Sequence, residues 1–213
     1  MKTILAYGDS LTYGTDPVVV GKRHAYEDRW PTRLEAGLGS KARVIAEGLG
    51  GRTTAFDDFS AVADRNGARI LPTLLASHAP LDAVVIMLGS NDMKTYLNGS
   101  AHGAAMGMKR LAEIVRTHTW PQGAAVPQIV LVAPPHCVDT EHADLKPMFG
   151  HGVAESQKLA GYYKAVASDL GCKFFDAATA AKADPADGVH LDAQNTRAIG
   201  DALAPLLKDM LGL

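Results

Sequence analysis

The sequence predicts an α/β fold with a parallel β-sheet between two layers of helices. Two observations carry this prediction: short β-rich runs alternate with helical stretches along 213 residues, and three of those runs are almost continuously apolar. Strands without polar–apolar alternation are buried on both faces, which is typical of a parallel sheet covered by helices. Right-handed crossovers then build a three-layer open sheet.

Five strands and five helices are expected in turn along the chain. The strands are expected at Thr3–Tyr7, Arg43–Ala46, Ala83–Leu88, Gln128–Val132 and Lys173–Phe175. The helices are expected at about Pro31–Leu38, Ala68–His78, Ala101–His118, Val153–Leu170 and Ala193–Leu211. Pro31 suits a first helical turn, and the last helix carries a core-facing side of apolar residues spaced three or four apart. The irregular segment Pro134–Gly152 is expected to form a functional rim or lid.

The composition limits the class of protein. The chain has 21 basic and 23 acidic residues, a net charge of −2, and 47% hydrophobic residues, which fits a single globular domain spanning residues 1–213. Nucleic acid and membrane partners are not expected, because both would require clustered basic residues. Cys137 and Cys172 lie far apart and outside any CxxC pattern, so we expect neither a zinc site nor a disulfide framework.

The start of the chain shows no targeting signal. The apolar run Thr3–Tyr7 is too short for a signal peptide, and the longest one, Ala83–Leu88, is too short to span a bilayer. We therefore expect a cytoplasmic location.

A candidate nucleophile follows the first predicted strand. Gly8-Asp9-Ser10 would turn sharply out of the strand and lift the serine hydroxyl clear of the sheet edge. A serine hydroxyl needs a base and a group that orients the base. Asp187 and His190 are three residues apart with a glycine between them, so one turn can bring the carboxylate to Nδ1 and leave Nε2 free. Asp184 is a competing acid, ranked lower because it lies six residues from His190.

Oxyanion donors are expected in the loops that follow the first three strands. Ser10 N–H, Gly51 N–H and the side-chain amide of Asn91 could converge there, because the carboxyl ends of parallel strands share one rim. Gly51 would let the backbone and a substrate approach closely.

Four blocks occur in the order and approximate spacing of a known family. They are Gly8-Asp9-Ser10-Leu11, Gly51, Gly89-Ser90-Asn91-Asp92 and Asp187-x-x-His190. The chain thus resembles the GDSL esterases, also called SGNH hydrolases, whose four letters would be Ser10, Gly51, Asn91 and His190. The resemblance implies a flavodoxin-like three-layer α/β/α fold with a parallel five-stranded sheet, no metal and no cofactor. It also implies hydrolysis of esters or thioesters through an acyl-enzyme.

A closer resemblance concerns bacterial arylesterases that also transfer acyl groups to alcohols and to hydrogen peroxide. It rests on four short stretches: Glu47-Gly48-Leu49, Arg52-Thr53-Thr54, Asn66-Gly67-Ala68 and Ile86-Met87-Leu88-Gly89. This resemblance implies short acyl chains, a small-molecule ester as substrate and a homo-oligomer. Within the enzyme class, a carbohydrate O-acetyl esterase and a thioesterase or lysophospholipase are alternatives that differ in pocket length.

Other interpretations concern different sites and different classes of protein. A flavodoxin-like binding module would use the same sheet edge, but neither GxGxxG nor a P-loop follows the first strand. An α/β-hydrolase elbow, G-x-S-x-G, is disfavoured because Thr12 stands where its second glycine belongs. A metal site is disfavoured because the spacing of His136, His142 and His151 matches no ligand motif. Trp30 and Tyr13 could line a pocket near Ser10 or, equally, could pack in the core or at the surface.

Overall fold

The centre of the molecule is a five-stranded, fully parallel sheet. The structure, a computed structural model, describes residues 1–213. The strand order is β2-β1-β3-β4-β5. The strands are β1 (Lys2–Gly8), β2 (Ala42–Gly48), β3 (Ala83–Met87), β4 (Gln128–Ala133) and β5 (Lys173–Asp176). The predicted α/β class and all five predicted strands are therefore confirmed.

The burial of the strands explains their sequences. All five residues of β3 are buried, and β4 is buried beyond Gln128, as their apolar runs predict. The two edge strands, β2 and β5, are only half-buried. A strand at a sheet edge has only one neighbouring strand and is partly exposed to solvent, so β2 and β5 can carry polar residues.

Eight α-helices surround the sheet. They are α1 (Ser10–Tyr13), α2 (Trp30–Leu38), α3 (Gly67–His78), α4 (Ala101–Thr117), α5 (Leu145–Phe149), α6 (Gly152–Ser156), α7 (Leu159–Leu170) and α8 (Ala193–Leu211). The predicted helices at Pro31–Leu38, Ala68–His78, Ala101–His118 and Ala193–Leu211 are confirmed to within one residue at each end.

Alternate residues of β1 face two separate cores. Leu5 and Tyr7 belong to a hydrophobic cluster that contains buried residues of α3, α4 and α7. Ile4 and Ala6 belong to a second cluster that contains buried residues of α2 and α8. Successive side chains of a strand point to opposite faces, so the helices form one layer on each side and the fold has three layers.

The prediction of one helix over Val153–Leu170 is wrong. The chain forms two helices there, α6 and α7, separated by a turn at Gln157 and Lys158. The Ser156 hydroxyl donates to the carbonyl of Val153 at 2.8 Å and accepts from the N–H of Cys137 at 3.0 Å. A serine that bonds backbone groups in this way competes with continuation of the helix.

The segment Pro134–Gly152 is only partly irregular, because it contains the short helix α5. His142 prepares the start of this helix, since its Nδ1 accepts from the N–H groups of Asp144 at 3.2 Å and Leu145 at 3.4 Å. The predicted absence of regular structure thus holds for the residues before α5.

The topology brings three loops together at one edge of the sheet. β1 lies between β2 and β3, and the three strands are parallel and in register. The chain leaves β1 toward one neighbour and later returns on its other side, which creates the crevice at the carboxyl ends where open α/β sheets bind ligands. The segment before α8 is anchored to this edge by a contact of 2.8 Å between His24 Nε2 and the carbonyl of Leu191.

Candidate active site

Ser10 is the first residue of a four-residue helix directly after β1. Asp9 caps that helix, because its Oδ1 accepts from the N–H of Leu11 at 2.9 Å. A carboxylate at this position satisfies an otherwise free N–H of the first turn. Ser10 therefore sits on a capped turn at the carboxyl end of β1, with 7% of its surface exposed.

A tight turn presents His190. The carbonyl of Asp184 accepts from the N–H groups of Gly188 at 2.8 Å and Asp187 at 3.4 Å. Gly188 has φ +82°, in the left-handed region that favours glycine. Oδ1 of Asp187 accepts from the N–H groups of Val189 at 2.9 Å and His190 at 2.8 Å. The competing acid Asp184 thus shapes the turn, while Asp187 is the carboxylate that contacts the imidazole.

Ser10, His190 and Asp187 form one chain of hydrogen bonds. The Ser10 Oγ lies 2.9 Å from Nε2 of His190, and Nδ1 of His190 lies 2.5 Å from Oδ2 of Asp187. Burial acts to raise the pKa of Asp187, but the His190 contact and the two backbone N–H groups outweigh it and lower that pKa. The carboxylate therefore stays ionised and can hold the imidazole in one tautomer.

Gly51 and Asn91 lie beside Ser10 and line the same cavity. Gly51 has φ +82°, and its N–H donates no hydrogen bond within the chain. The side-chain amide of Asn91 donates to Oδ2 of Asp9 at 3.2 Å and to the carbonyl of Arg52 at 3.1 Å. Both hydrogens of that amide are engaged, so Asn91 must share or release its contact with Arg52 to donate to a substrate.

Two buried carboxylates lie beneath the site. Burial raises the pKa of Asp9 to about 6 and that of Asp92 to about 7, and the charge of Asp9 contributes to the higher pKa of Asp92. Asp92 accepts from the hydroxyl of Thr54 at 2.5 Å and from its N–H at 3.0 Å. These contacts join the loop after β2 to the loop after β3, and they hold the residues beside Gly51 and Asn91 in place.

The cavity in front of Ser10 has a volume of about 280 Å³. Its lining residues come from the loops after β1, β2 and β3, from α5 and from the turn that presents His190: Ser10, Thr15, Gly50, Gly51, Arg65, Asn91, Lys94, Leu145, Met148, Phe149, Val189 and His190. One side of the cavity is apolar and is formed mainly by α5. A neighbouring groove of about 440 Å³ shares Leu145, Phe149 and Val189 with the cavity.

Trp30 and Tyr13 do not line this cavity, so the packing alternative holds for both residues. Trp30 is fully buried, and its Nε1 donates to the hydroxyl of Thr12 at 3.1 Å. Tyr13 lies under the guanidinium of Arg23, which is 3.6 Å from the centre of its ring. The segment Pro134–Gly152 supplies the apolar wall instead, through Phe149 and its neighbours on α5.

Sequence reasoning missed Arg65 and Lys94, the two cationic residues of the cavity. Charged residues in loops are usually solvated, and no motif sets Arg65 apart from the other charges of its segment. Lys94 follows Asn91 by three residues, so its position directly after the Gly89-Ser90-Asn91-Asp92 block could have drawn notice.

The three histidines of the segment Pro134–His151 do not converge. The Nδ1 of His142 caps α5, and the Nε2 of His151 lies 3.1 Å from the carbonyl of Gly99. The structure contains no group of three or more His, Cys, Asp or Glu side chains that could hold a metal ion. Each of its helices is too short or too polar to pass through a membrane.

Comparisons with known proteins agree with this architecture. The model of the GDSL-like Lipase/Acylhydrolase family matches residues 6–197. A carbohydrate acetylesterase family member from Sinorhizobium meliloti has a similar structure, with 54% identity, a TM-score of 0.97 and complete coverage of both chains. No curated protein was found to match the sequence.

Two further solved structures are similar over nearly their whole length. A second carbohydrate acetylesterase from Sinorhizobium meliloti has 38% identity and a TM-score of 0.94, with 99% of this chain and 100% of that chain covered. The aryl esterase of M. smegmatis has 38% identity and a TM-score of 0.93, with coverages of 98% and 99%. These matches remove the alternative of a binding module without chemistry. The chain belongs to the GDSL-like lipase/acylhydrolase family and is a carboxylic ester hydrolase.

Proposed function

We propose that the protein is a serine esterase for short-chain acyl esters, with Ser10, His190 and Asp187 as its catalytic triad. The observation that carries the proposal is the unbroken chain of hydrogen bonds, 2.9 Å from Ser10 Oγ to His190 Nε2 and 2.5 Å from His190 Nδ1 to Asp187 Oδ2. A serine, a base and an orienting acid in this order are the arrangement that activates a hydroxyl for acyl transfer.

In the first half of the reaction, Ser10 Oγ attacks the ester carbonyl while His190 Nε2 takes its proton. Asp187 stabilises the resulting imidazolium. The tetrahedral oxyanion accepts hydrogen bonds from Ser10 N–H, Gly51 N–H and the Asn91 amide, which turns toward it from the Arg52 carbonyl. His190 then returns the proton to the departing alkoxide, the ester C–O bond breaks, and an acyl-Ser10 ester remains.

In the second half, a water molecule attacks the acyl-Ser10 carbonyl and gives its proton to His190. Collapse of the second tetrahedral intermediate releases the acid and restores the Ser10 hydroxyl with that proton. An alcohol or hydrogen peroxide that takes the place of water yields a new ester or a peracid instead. The apolar wall of Leu145, Met148 and Phe149 supports such transfer, since a site that excludes water favours other nucleophiles.

The size of the cavity supports a short acyl group. A volume of about 280 Å³ lies just below the range of roughly 300–1,000 Å³ that drug-sized ligands occupy. A long-chain thioester or lysophospholipid would have to leave most of its chain outside this cavity. We therefore favour acetyl to butyryl esters over those substrates.

Aryl esters and acetylated carbohydrates are the two candidate substrate classes. The first is supported by the aryl esterase of M. smegmatis, and the second by the carbohydrate acetylesterase family member at 54% identity. Phenyl acetate and a peracetylated sugar represent the two classes, because they share the acetyl group and differ only in the alcohol. Hydrolysis of phenyl acetate and of a peracetylated sugar by the same preparation compares the two directly.

We also propose that the protein forms a homo-oligomer. Exposed apolar side chains in two loops support it, among them Val18, Val20, Phe59 and Val62. Exposed apolar side chains that cluster into a patch are typical of protein interfaces. Light scattering on the purified protein measures the assembly directly. A cytoplasmic location stays a prediction from the sequence.

The test of the proposed activity is a series of p-nitrophenyl esters from acetate to decanoate. We expect the wild type to release p-nitrophenol and Ser10→Ala to lose at least about 10³-fold in kcat. Ser168→Ala, an exposed serine on α7, is the matched control and should keep full activity. Unchanged hydrolysis by Ser10→Ala would refute the assignment of the nucleophile, and a maximum at decanoate would refute the short-acyl substrate.

A further inference from the structure

The guanidinium of Arg65 lies directly against Gly51, at the edge of the proposed oxyanion hole. A Cβ atom at Gly51 would lie 2.6 Å from both Cζ and Nη1 of Arg65 and 2.7 Å from its Nε. The space that a side chain of residue 51 would fill is thus occupied by a cation that lines the cavity in front of Ser10.

The guanidinium of Arg65 has N–H groups that are free to donate hydrogen bonds to a ligand. None of its N–H groups donates a hydrogen bond within the chain, and its Nε is buried without a partner. The one carboxylate within 4 Å is that of Asp58, whose Oδ2 lies 3.6 Å from Nη1, too far for a hydrogen bond. A guanidinium presents five donors in a rigid fork that matches a carboxylate, so Arg65 is equipped to bind an anion that the free protein does not supply.

Asp58 offsets the charge of Arg65 only in part, because Lys94 is its closer partner. Oδ1 accepts from the N–H of Ser60 at 3.0 Å and from its hydroxyl at 2.5 Å, while Oδ2 accepts from Nζ of Lys94 at 2.8 Å. Lys94 and Asp58 are both buried. The three charges of this cluster sum to +1, and the excess charge belongs to Arg65.

The rest of the cavity leaves that charge uncompensated. None of its twelve lining residues is acidic. Arg65 and Lys94 come from the loops after β2 and β3, and the apolar part of the lining comes mainly from α5. A substrate in this cavity therefore meets both cationic and apolar side chains.

We propose that Arg65 binds a carboxylate on the substrate, so that the preferred esters are anionic. The proposal rests on the esterase function proposed above and names its substrate class. The carboxylate can belong to the acyl group, as in a half-ester of a short dicarboxylic acid, or to the alcohol, as in an acylated hydroxybenzoic acid. The recognising chemistry is the same in both cases.

The test compares charged and neutral esters of matched size. For the acyl side, mono-(4-nitrophenyl) glutarate is compared with 4-nitrophenyl pentanoate, after subtraction of the enzyme-free rate. For the alcohol side, 4-acetoxybenzoate is compared with 4-acetoxybenzamide. The quantity measured is kcat/KM for the charged ester divided by that for its neutral partner. A high ratio in one arm alone identifies which part of the substrate carries the carboxylate.

One variant removes the positive charge of Arg65, and another removes the negative charge beside it. Arg65→Gln should lower the ratio about 10- to 100-fold, as expected for loss of a hydrogen-bonded ion pair, and Arg65→Lys should lower it less. Asp58→Asn removes the neighbouring negative charge and should raise the ratio. Arg110→Gln, an exposed arginine on α4, is the matched control and should leave the ratio unchanged.

The outcomes separate this proposal from the esterase function itself. Loss of charged and neutral activity in equal proportion in Arg65→Gln would mean that Arg65 acts on every substrate, and would overturn the proposal. A ratio unmoved in both Arg65→Lys and Asp58→Asn would overturn it even if Arg65→Gln failed to fold. Failure of the esterase function would appear instead as the absence of Ser10-dependent hydrolysis of any ester by the wild type.

Discussion

Nδ1 of His190 lies 2.5 Å from Oδ2 of Asp187, while the other oxygen of that carboxylate accepts the backbone N–H groups of Val189 and His190. One carboxylate thus shapes the turn and also holds the imidazole that the turn presents. The backbone contacts fix the carboxylate, so the orientation of His190 toward Ser10 does not depend on the rest of the cavity.

Asp187→Asn should abolish most of the activity without unfolding the protein. The amide oxygen can still accept the two backbone N–H groups, but an amide NH₂ facing Nδ1 favours the wrong tautomer of His190. We expect kcat for p-nitrophenyl acetate to fall on the order of 10³- to 10⁴-fold with little change in KM. Asp184→Asn is the control and should stay near wild-type kcat. An equal loss in both variants would contradict the assignment of Asp187.

Asn91→Ala should lower kcat about 10²- to 10³-fold, because it removes one of the proposed donors to the developing oxyanion. The KM should change little, since the contact is made mainly in the transition state. Steady-state kinetics with p-nitrophenyl acetate measures both values, and thermal unfolding shows whether the variant stays folded. A higher KM with unchanged kcat would assign Asn91 to substrate binding alone.

Gly51→Ala should impair activity more than its backbone strain explains. Gly51 has φ +82°, and a Cβ there would displace the Arg65 guanidinium. Gly123→Ala is the matched control, because Gly123 has φ +83° and open space around its Cβ position. Both variants should lose about 1–2 kcal/mol of stability from the left-handed conformation. We expect only Gly51→Ala to lose more than about tenfold in kcat/KM; comparable activity in the two variants would contradict this.

Asp9 and Asp92 should make the protein less stable as the pH rises. Burial raises the pKa of the first to about 6 and of the second to about 7. These two carboxyls therefore bind more protons in the folded state than in the unfolded state between about pH 4 and 7, and their contribution to the free energy of unfolding decreases across that range.

Asp92→Asn should remove the contribution of the Asp92 carboxyl to the pH dependence of the free energy of unfolding. The gain in free energy of unfolding, measured by urea denaturation, should be larger at pH 8 than at pH 5. An exposed control, Asp144→Asn, should show no such difference. An effect of Asp92→Asn that is the same at both pH values would show that its carboxylate does not titrate in this range.

Leu145→Ala should allow the enzyme to accept esters with longer acyl chains or bulkier alcohols. Leu145 of α5 lines both the cavity of about 280 Å³ and the neighbouring groove of about 440 Å³. Its removal opens a passage between the two. We expect the ratio of kcat/KM for the octanoate to that for the acetate ester to rise several-fold, while Leu74→Ala, on α3, should leave it unchanged. An unchanged ratio in Leu145→Ala would mean that α5 does not limit chain length.

The strands and most helices followed from local patterns. Buried parallel strands need continuous apolar residues, so Ala83–Leu88 and Gln128–Val132 were recognisable without any knowledge of their neighbours. The long helix predicted over Val153–Leu170 was wrong because a turn at Gln157 and Lys158 divides it, next to Ser156, whose hydroxyl contacts Cys137 from a distant part of the chain. A contact between distant residues produces no periodic pattern of apolar residues that could be recognised in the sequence.

Three features were determined by the sequence alone: the succession of strands along the chain, the position of Ser10 after β1 and the short spacing from Asp187 to His190. Each of them depends on only a few neighbouring residues. Only the tertiary structure decided that Ser10 and His190, 180 positions apart, come within 2.9 Å. It alone also decided that α5 covers the site and that Arg65 lies against Gly51. Those contacts arise from packing between segments that are distant in the sequence. They depend on the shapes and charges of surfaces that exist only in the folded protein, so no local pattern predicts them.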